Sequence, residues 1–188
     1  MWATNYRTGF HENTLYKILV PETMMEDKDN MWGPAHEIGH INQFAINWPG
    51  CSESSNNLFS NYVIFKFGKF CSRGTALSEL NNYRVVQDQP FTLISGATHQ
   101  GENTELHMRM NWQLFVYFHR VLGDEQFWPR LFKLLRQTPP VESNPGWSQL
   151  NFAEQACAAA NLDLTDFFEM WGFFVPVDNV PYEQYGNW

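Results

Sequence analysis

Between Asn103 and Leu122 the apolar residues Leu106, Met110, Leu114, Phe118 and Val121 recur every three or four positions. That period puts them on one face of a helix, so the stripe predicts a long helix with that face in the core. Gly123-Asp124 ends it and caps a following helix to about Arg136. Thr138 to Gly146 is a Pro-rich turn, Ser148 opens a helix to about Ala160, and a short helix from Leu164 to Trp171 is closed by Gly172. Upstream, Leu58, Tyr62 and Phe65 fall at helical steps in a segment from Ser52 to about Phe67. Ser52 is its candidate cap, and Glu53 then sits in the first turn, where the helix dipole favours a carboxylate.

Another helix is predicted from about Pro34, whose missing N–H suits a first turn, to Ile46. The breaker cluster Asn47-Trp48-Pro49-Gly50 stops it. Residues 13 to 21 include a short β-prone stretch closed by Pro21, and Glu22 to Asn30 is polar and loop-like. Residues 71 to 101 mix Gly, Pro and Ser punctuation without a clear period, and no internal repeat is present. The expected fold is mainly α, with α+β as the alternative, in a single domain spanning residues 1–188.

Composition changes this picture in three respects. The chain has 188 residues, 44% apolar and 16% aromatic, which predicts a packed globular domain. Its 16 Phe, 8 Trp and 7 Tyr exceed the needs of one small core, so part of them is expected to line a cleft or a face covered by another domain. A net charge of −8 and the lack of any Lys/Arg run argue against a nucleic-acid partner. No apolar run reaches the length of a membrane span. The first residues, Met-Trp-Ala-Thr-Asn-Tyr-Arg, do not read as a signal peptide, and the chain is expected to be a piece of a longer protein. Cys51, Cys71 and Cys157 read as buried thiols, with a Cys51–Cys71 bridge as the alternative.

The chemistry is concentrated in His36-Glu37-Ile38-Gly39-His40. Two histidines four apart on a helix project from one face, so two imidazole nitrogens can reach one Zn²⁺. Glu37 then points to the side where a water on the metal would lie, and its carboxylate can take that water's proton and pass it to a leaving amine. The H-E-x-x-H pattern is short and needs context. A catalytic zinc takes a third protein ligand and keeps one position open. Twelve residues separate His40 from Glu53, across a breaker and at the start of a new helix. A helical hairpin would fold Glu53 back over the histidine face. Asn57, one turn further on, reads either as a hydrogen-bond partner for the remote nitrogen of a ligand histidine or as an ordinary polar residue.

Trp32 to Gln43 resembles the active-site helix of the enhancin-like, mucin-degrading zinc metallopeptidases, peptidase family M60. Ser52-Glu53-Ser54-Ser55-Asn56-Asn57-Leu58-Phe59-Ser60 is similar to that family's third-ligand segment, where a Glu precedes a pair of Asn. Asn161 to Gly172 resembles its closing Asn-Leu…Phe-Phe…Trp-Gly segment. The resemblance implies a zincin-like catalytic domain of the gluzincin type, with an active-site helix, a third-ligand helix and a C-terminal helical bundle. It implies one Zn²⁺ per chain on His36, His40 and Glu53, with Glu37 as general base. It further implies a secreted or cell-surface endopeptidase acting on mucin-like or other glycosylated proteins, often beside carbohydrate-binding modules in a full-length chain; a monomer is expected. Residues 1–31 match this pattern less well, which predicts that the strand layer ahead of the active-site helix is partly missing.

Several residues stay open. His99, Tyr83 and Tyr62 are comparable candidates for stabilising a developing oxyanion. His107 and His119 lie within the long helix and read as packing or surface residues, and His11 carries no further signal. The rival to an enzyme is a catalytically incomplete zinc-containing module that binds glycoprotein without cutting it. A second rival is a structural role, with the histidine motif an accident of a polar helix face.

Overall fold

The computed structural model describes residues 1–4, 7–26, 28–48, 51–68 and 102–174, the side chains of residues 28, 29, 102–106 and 145 excepted. The fold is mainly helical. The chain opens with an antiparallel pair, β1 (Trp2–Thr4) and β2 (Arg7–Gly9), in the register Trp2↔Gly9, Ala3↔Thr8 and Thr4↔Arg7. A 3₁₀ turn (Glu12–Thr14) leads into α1 (Tyr16–Leu19), α2 (Pro21–Glu26) and α3 (Lys28–Asn42). The stretch predicted as β-prone is therefore helical, and so is most of the polar segment read as a loop. Short segments carry little intrinsic preference, and α1 and α2 lie against each other and against α3.

α3 also starts earlier than Pro34 predicts, leaving this proline inside the helix. A proline there removes one helical hydrogen bond. Met31 and Trp32, both buried, hold the upstream turn by packing with Ile64 and Met108, and tertiary contact overrides the local start signal.

After α3 a 3₁₀ turn, Gln43–Ile46, completes the predicted run. The next helix is interrupted: α4 (Ser52–Ser55) and α5 (Asn57–Lys66) meet at Asn56. Ser52 does not cap it. Cys51 occupies the cap position, its carbonyl oxygen accepting from the Ser54 and Ser55 N–H groups, with Ser54 Oγ adding a third donor at 3.0 Å. α3 packs chiefly on α5, and α4 packs on α6 (Glu102–Phe115).

α6 continues into a π-helical segment, Val116–Val121. Met110, Leu114 and Phe118 of the predicted stripe are buried, whereas Val121 is 68% exposed. Bonding from i to i+5 adds a residue to the turn and rotates Val121 off the stripe. The side chain of Leu106 lies outside the described set. α7 (Phe127–Leu135) and α8 (Pro145–Ala160) then pack against each other, and α9 (Thr165–Met170) closes on α8. α8 is opened by Asn144 and not by Ser148: the Asn144 side chain accepts from the Trp147 N–H at 3.0 Å, with Pro145 in the first turn. Asn161, at φ 51°, ends it in the left-handed conformation.

The larger core joins these helices to the 3₁₀ turn after α3. At its centre Phe118 and Phe127 stack with centroids 3.7 Å apart and 11° between planes, and both are buried. Phe152, Phe168 and Phe173 extend the aromatic cluster. Polar links pin its edges: Trp171 Nε1 donates to Gln113 Oε1 at 3.0 Å, and Gln149 Nε2 donates to the Phe173 carbonyl at 2.7 Å. Cys51 is a buried free thiol and Cys157 a half-buried one, while Cys71 lies outside the described residues. No described helix is long and apolar enough to cross a membrane.

The stacked pair sets a stability prediction. Phe127→Ala empties a fully buried ring site and should cost about 3–5 kcal/mol, whereas Phe44→Ala, at a ring 76% exposed, should stay within about 0.5 kcal/mol of the parent. Urea unfolding of the three proteins checks both values.

Candidate metal centre

His36 and His40 stand one turn apart on α3 with ring centroids 4.8 Å apart and planes at 85°. Their Nε2 atoms face the same carboxylate: Glu53 Oε2 is 3.3 Å from His36 Nε2 and 3.6 Å from His40 Nε2. Donor atoms of the three residues all lie within 4.8 Å of one another. Two ligand atoms bound tetrahedrally at about 2.1 Å from a zinc ion are about 3.4 Å apart, so the two histidine–carboxylate separations match an edge of such a site. Two imidazoles and one carboxylate are also the donor set of a catalytic zinc that keeps a fourth position open.

Gly39 makes this convergence possible. A Cβ built at Gly39 would lie 2.5 Å from the Asn56 carbonyl oxygen and 3.1 Å from Asn56 Cβ. The corner between α4 and α5 therefore rests directly on the backbone of α3, between the two histidines. With Asn56 seated there, the turn before it delivers Glu53.

The tautomer of His36 follows from its neighbours. Asn57 Nδ2 donates to the Glu53 carbonyl oxygen at 2.8 Å, which turns Asn57 Oδ1 toward His36 Nδ1, also at 2.8 Å. Oδ1 can only accept, so Nδ1 carries the hydrogen, and in the neutral ring Nε2 presents its lone pair. Asn57 is thus a hydrogen-bond partner of the His36 ring.

Three further residues belong to the surround. Gln43 Nε2 lies 2.9 Å from His40 Nδ1, and Ser55 Oγ donates to Gln43 Oε1 at 2.6 Å. Asn56 Nδ2 is 3.0 Å from both ring nitrogens of His36 and 3.1 Å from His40 Nε2. Equal distances to both nitrogens place that amide over the face of the His36 ring. Asn56 Oδ1 is buried without a hydrogen-bond partner. The sequence reading missed these residues, although Gln43 stands three positions after His40 and so shares its face.

Electrostatics agree with the geometry. Burial pulls the His36 imidazole down, but hydrogen bonds to Glu53 and Asn57 and the charges of Glu53 and Glu37 outweigh it and raise its pKa above the ordinary value. Hydrogen bonds from His36 and His40 hold the Glu53 carboxyl well below the usual carboxylate range. Glu37 is buried at 7% exposure, yet it lines an open cleft of about 390 Å³ with His36, His40, Ser52 and Glu53. Met1, Trp2, Ala3 and Thr4 line the same cleft, so β1 borders it together with the histidines.

The remaining candidates divide. Tyr62 lines a different groove, with Phe59, Phe115 and Trp128, and is not brought to the histidine cluster: five residues beyond Asn57, it leaves α5 on another face. His99 and Tyr83 lie outside the described residues. His119 stacks on Phe115 with centroids 4.7 Å apart, and His11 is exposed. His107 is fully buried, with Nδ1 2.7 Å from Ser54 Oγ, so it ties the residue after Glu53 to α6. Burial pushes its pKa down to about 3.

Among known families, the model of peptidase M60, enhancin and enhancin-like, matches residues 1–172. That match includes the first 31 residues, where the motif resemblance was weaker. A metallopeptidase from Bacteroides thetaiotaomicron is 52% identical with a TM-score of 0.82, the match covering 94% of this chain and 30% of that one. A metallopeptidase solved in complex with Tn antigen is 53% identical with a TM-score of 0.82, the match covering 94% of this chain and 33% of that one. The chain thus spans about a third of the length of these structures. No curated protein sequence matches it. The mainly helical fold is that of a zincin-like metallopeptidase domain.

Two predictions follow from the crossing and from its anchor. Gly39→Ala must push the Asn56 backbone away, which should cost about 1–3 kcal/mol and weaken metal uptake, read by urea unfolding and by metal content after dialysis. For His107, the folded pKa lies below the unfolded one, so the unfolded chain binds the extra proton between about pH 3 and 6.5. The stability tied to its neutral form is complete above pH 6.5 and falls as the pH drops through that window. His107→Gln should be less stable than the parent at pH 7.5, with the gap closing by about 1.4 kcal/mol per pH unit below 6.5. Urea unfolding of both proteins from pH 7.5 to 5 tests this.

Proposed function

This chain belongs to the peptidase M60, enhancin and enhancin-like family, and from that premise we propose that it is the catalytic part of a zinc-dependent endopeptidase acting on mucin-like or other glycosylated proteins. The observation that carries the reading is the convergence of His36 Nε2, His40 Nε2 and Glu53 Oε2 beside buried Glu37 in one open cleft. His36, His40 and Glu53 would hold the zinc, which would supply a positive charge to acidify a water and polarise the carbonyl of the bond to be cut. Glu37 takes the water's proton as the oxygen attacks the peptide carbon. It then delivers that proton to the departing nitrogen, so one carboxylate serves first as base and then as acid. Asn57 keeps His36 in the tautomer that leaves Nε2 free.

The glycoprotein substrate is supported by the related metallopeptidase seen in complex with Tn antigen. Action outside the cell or at its surface is the matching location. A second reading is favoured by one fact, that the chain spans about a third of its structural neighbours: these residues bind zinc and glycoprotein, and cleavage requires more of the chain.

Glu37→Gln should keep one zinc per chain and lose turnover by about 10²–10⁴-fold. Metal content and mass-spectrometric detection of new termini on an O-glycosylated protein, and on its deglycosylated form, measure both. Undiminished cleavage by Glu37→Gln would sink the mechanism. Equal cleavage of the two substrate forms would remove the glycan requirement. Zinc and glycoprotein binding without cleavage, restored in a longer chain, would select the second reading.

A further inference from the structure

His36 and His40 are oriented by two carboxamides that are not equivalent. Asn57 is fixed, because the Glu53 carbonyl oxygen beside its Nδ2 can only accept. Gln43 sits between His40 Nδ1 and Ser55 Oγ, and each of these can donate or accept. In the arrangement shown, Gln43 Nε2 donates to His40 Nδ1 and Ser55 Oγ donates to Gln43 Oε1. The hydrogen of a neutral His40 then resides on Nε2, the atom facing Glu53 Oε2 at 3.6 Å. A half-turn of the carboxamide exchanges its oxygen and nitrogen without altering its shape. His40 Nδ1–H then donates to Gln43 Oε1, the NH₂ donates to Ser55 Oγ, and Nε2 presents a lone pair.

We propose that Gln43, backed by the Ser55 hydroxyl, is a positioning residue that sets the tautomer of His40 and adopts the second orientation when His40 binds metal. Gln43 is 4% exposed and Ser55 is fully buried, so bulk water is excluded from replacing either partner, and a lost hydrogen bond leaves a buried group unpaired. The pair also bridges the ligand helix to the turn that carries Glu53, because Gln43 directly follows α3 and Ser55 closes α4. One amide therefore acts on two of the three ligands, through the ring of His40 and through the placement of α4.

The inference rests on the zinc reading above, and the test separates the two. Zinc affinity is measured by chelator competition at pH 7.5 on the parent, Gln43→Met, Gln43→Glu and Ser55→Ala, with folding monitored by circular dichroism. Long-range ¹H–¹⁵N histidine spectra of the zinc-loaded proteins report the tautomer. Methionine fills the space without an acceptor and should weaken zinc binding by about 10–100-fold. Glutamate keeps the acceptor and should bind within about threefold of the parent, a recovery that a packing role would not produce because it buries a charge. Ser55→Ala should weaken binding by a smaller factor, about threefold or more, and serves as the second probe if Gln43→Met does not fold. The parent should show hydrogen on His40 Nδ1 and zinc on Nε2. Parent-like affinity in folded Gln43→Met, or in Ser55→Ala where the methionine variant does not fold, overturns this inference alone. A parent that binds no zinc overturns both it and the zinc reading.

Discussion

The contact on which the site depends is between two backbones. Where α3 meets the corner of α4 and α5, Gly39 has no side chain, and the Asn56 carbonyl oxygen lies only 2.5 Å from where a Cβ would stand. Moving the corner outward by the width of a methyl group would carry Glu53 with it, since only the short α4 turn separates them. Histidine–carboxylate separations of 3.3 and 3.6 Å leave little room for such a shift. The glycine between the histidines is thus a packing requirement for the approach of Glu53, although it carries no chemistry itself.

Around that crossing, small polar residues take the part that large apolar ones play elsewhere in the protein. Ser54, Ser55, Asn56 and Asn57 are all buried; Ser54, Asn56 and Asn57 each reach a histidine, and Ser55 reaches Gln43, which touches His40. Directional hydrogen bonds suit this region because a ligand ring must be fixed in rotation as well as in position. His107 extends the same device to α6, where its buried neutral ring meets Ser54. The wider aromatic core supplies the stiffness. Phe152 packs on Trp48, which in turn faces the His107 ring at 5.3 Å. The polar corner is therefore seated on a close-packed foundation.

The helices were legible where their signals were strong and local. The stripe of α6, the Gly172 stop and the run from Phe127 to Leu135 follow from periodicity and end signals, and the expected C-terminal bundle is present as α7 packed on α8. Predictions failed where a local signal met a stronger contact from elsewhere in the chain. Pro34 reads as a helix start, yet Met31 and Trp32 hold a turn ahead of it against Ile64 and Met108. Val121 left its stripe because a π-helical turn, invisible to a fixed period, changed the phase.

For the centre itself, the sequence determined the chemical inventory. Two histidines at one-turn spacing, a glutamate beside the first and another beyond a breaker are covalent facts that helix geometry turns into a shared face. Asn57 followed from the same reasoning, one turn beyond Glu53. What the tertiary structure alone decided is how those groups meet. The depth of the crossing at Gly39, the opposite behaviour of the Asn57 and Gln43 amides, and the place of β1 in the cleft lining all join residues distant in the chain. Periodicity reports which face a residue occupies on its own element. It carries no information about which element will face it, and hydrogen-bond direction is set only when both partners are in place.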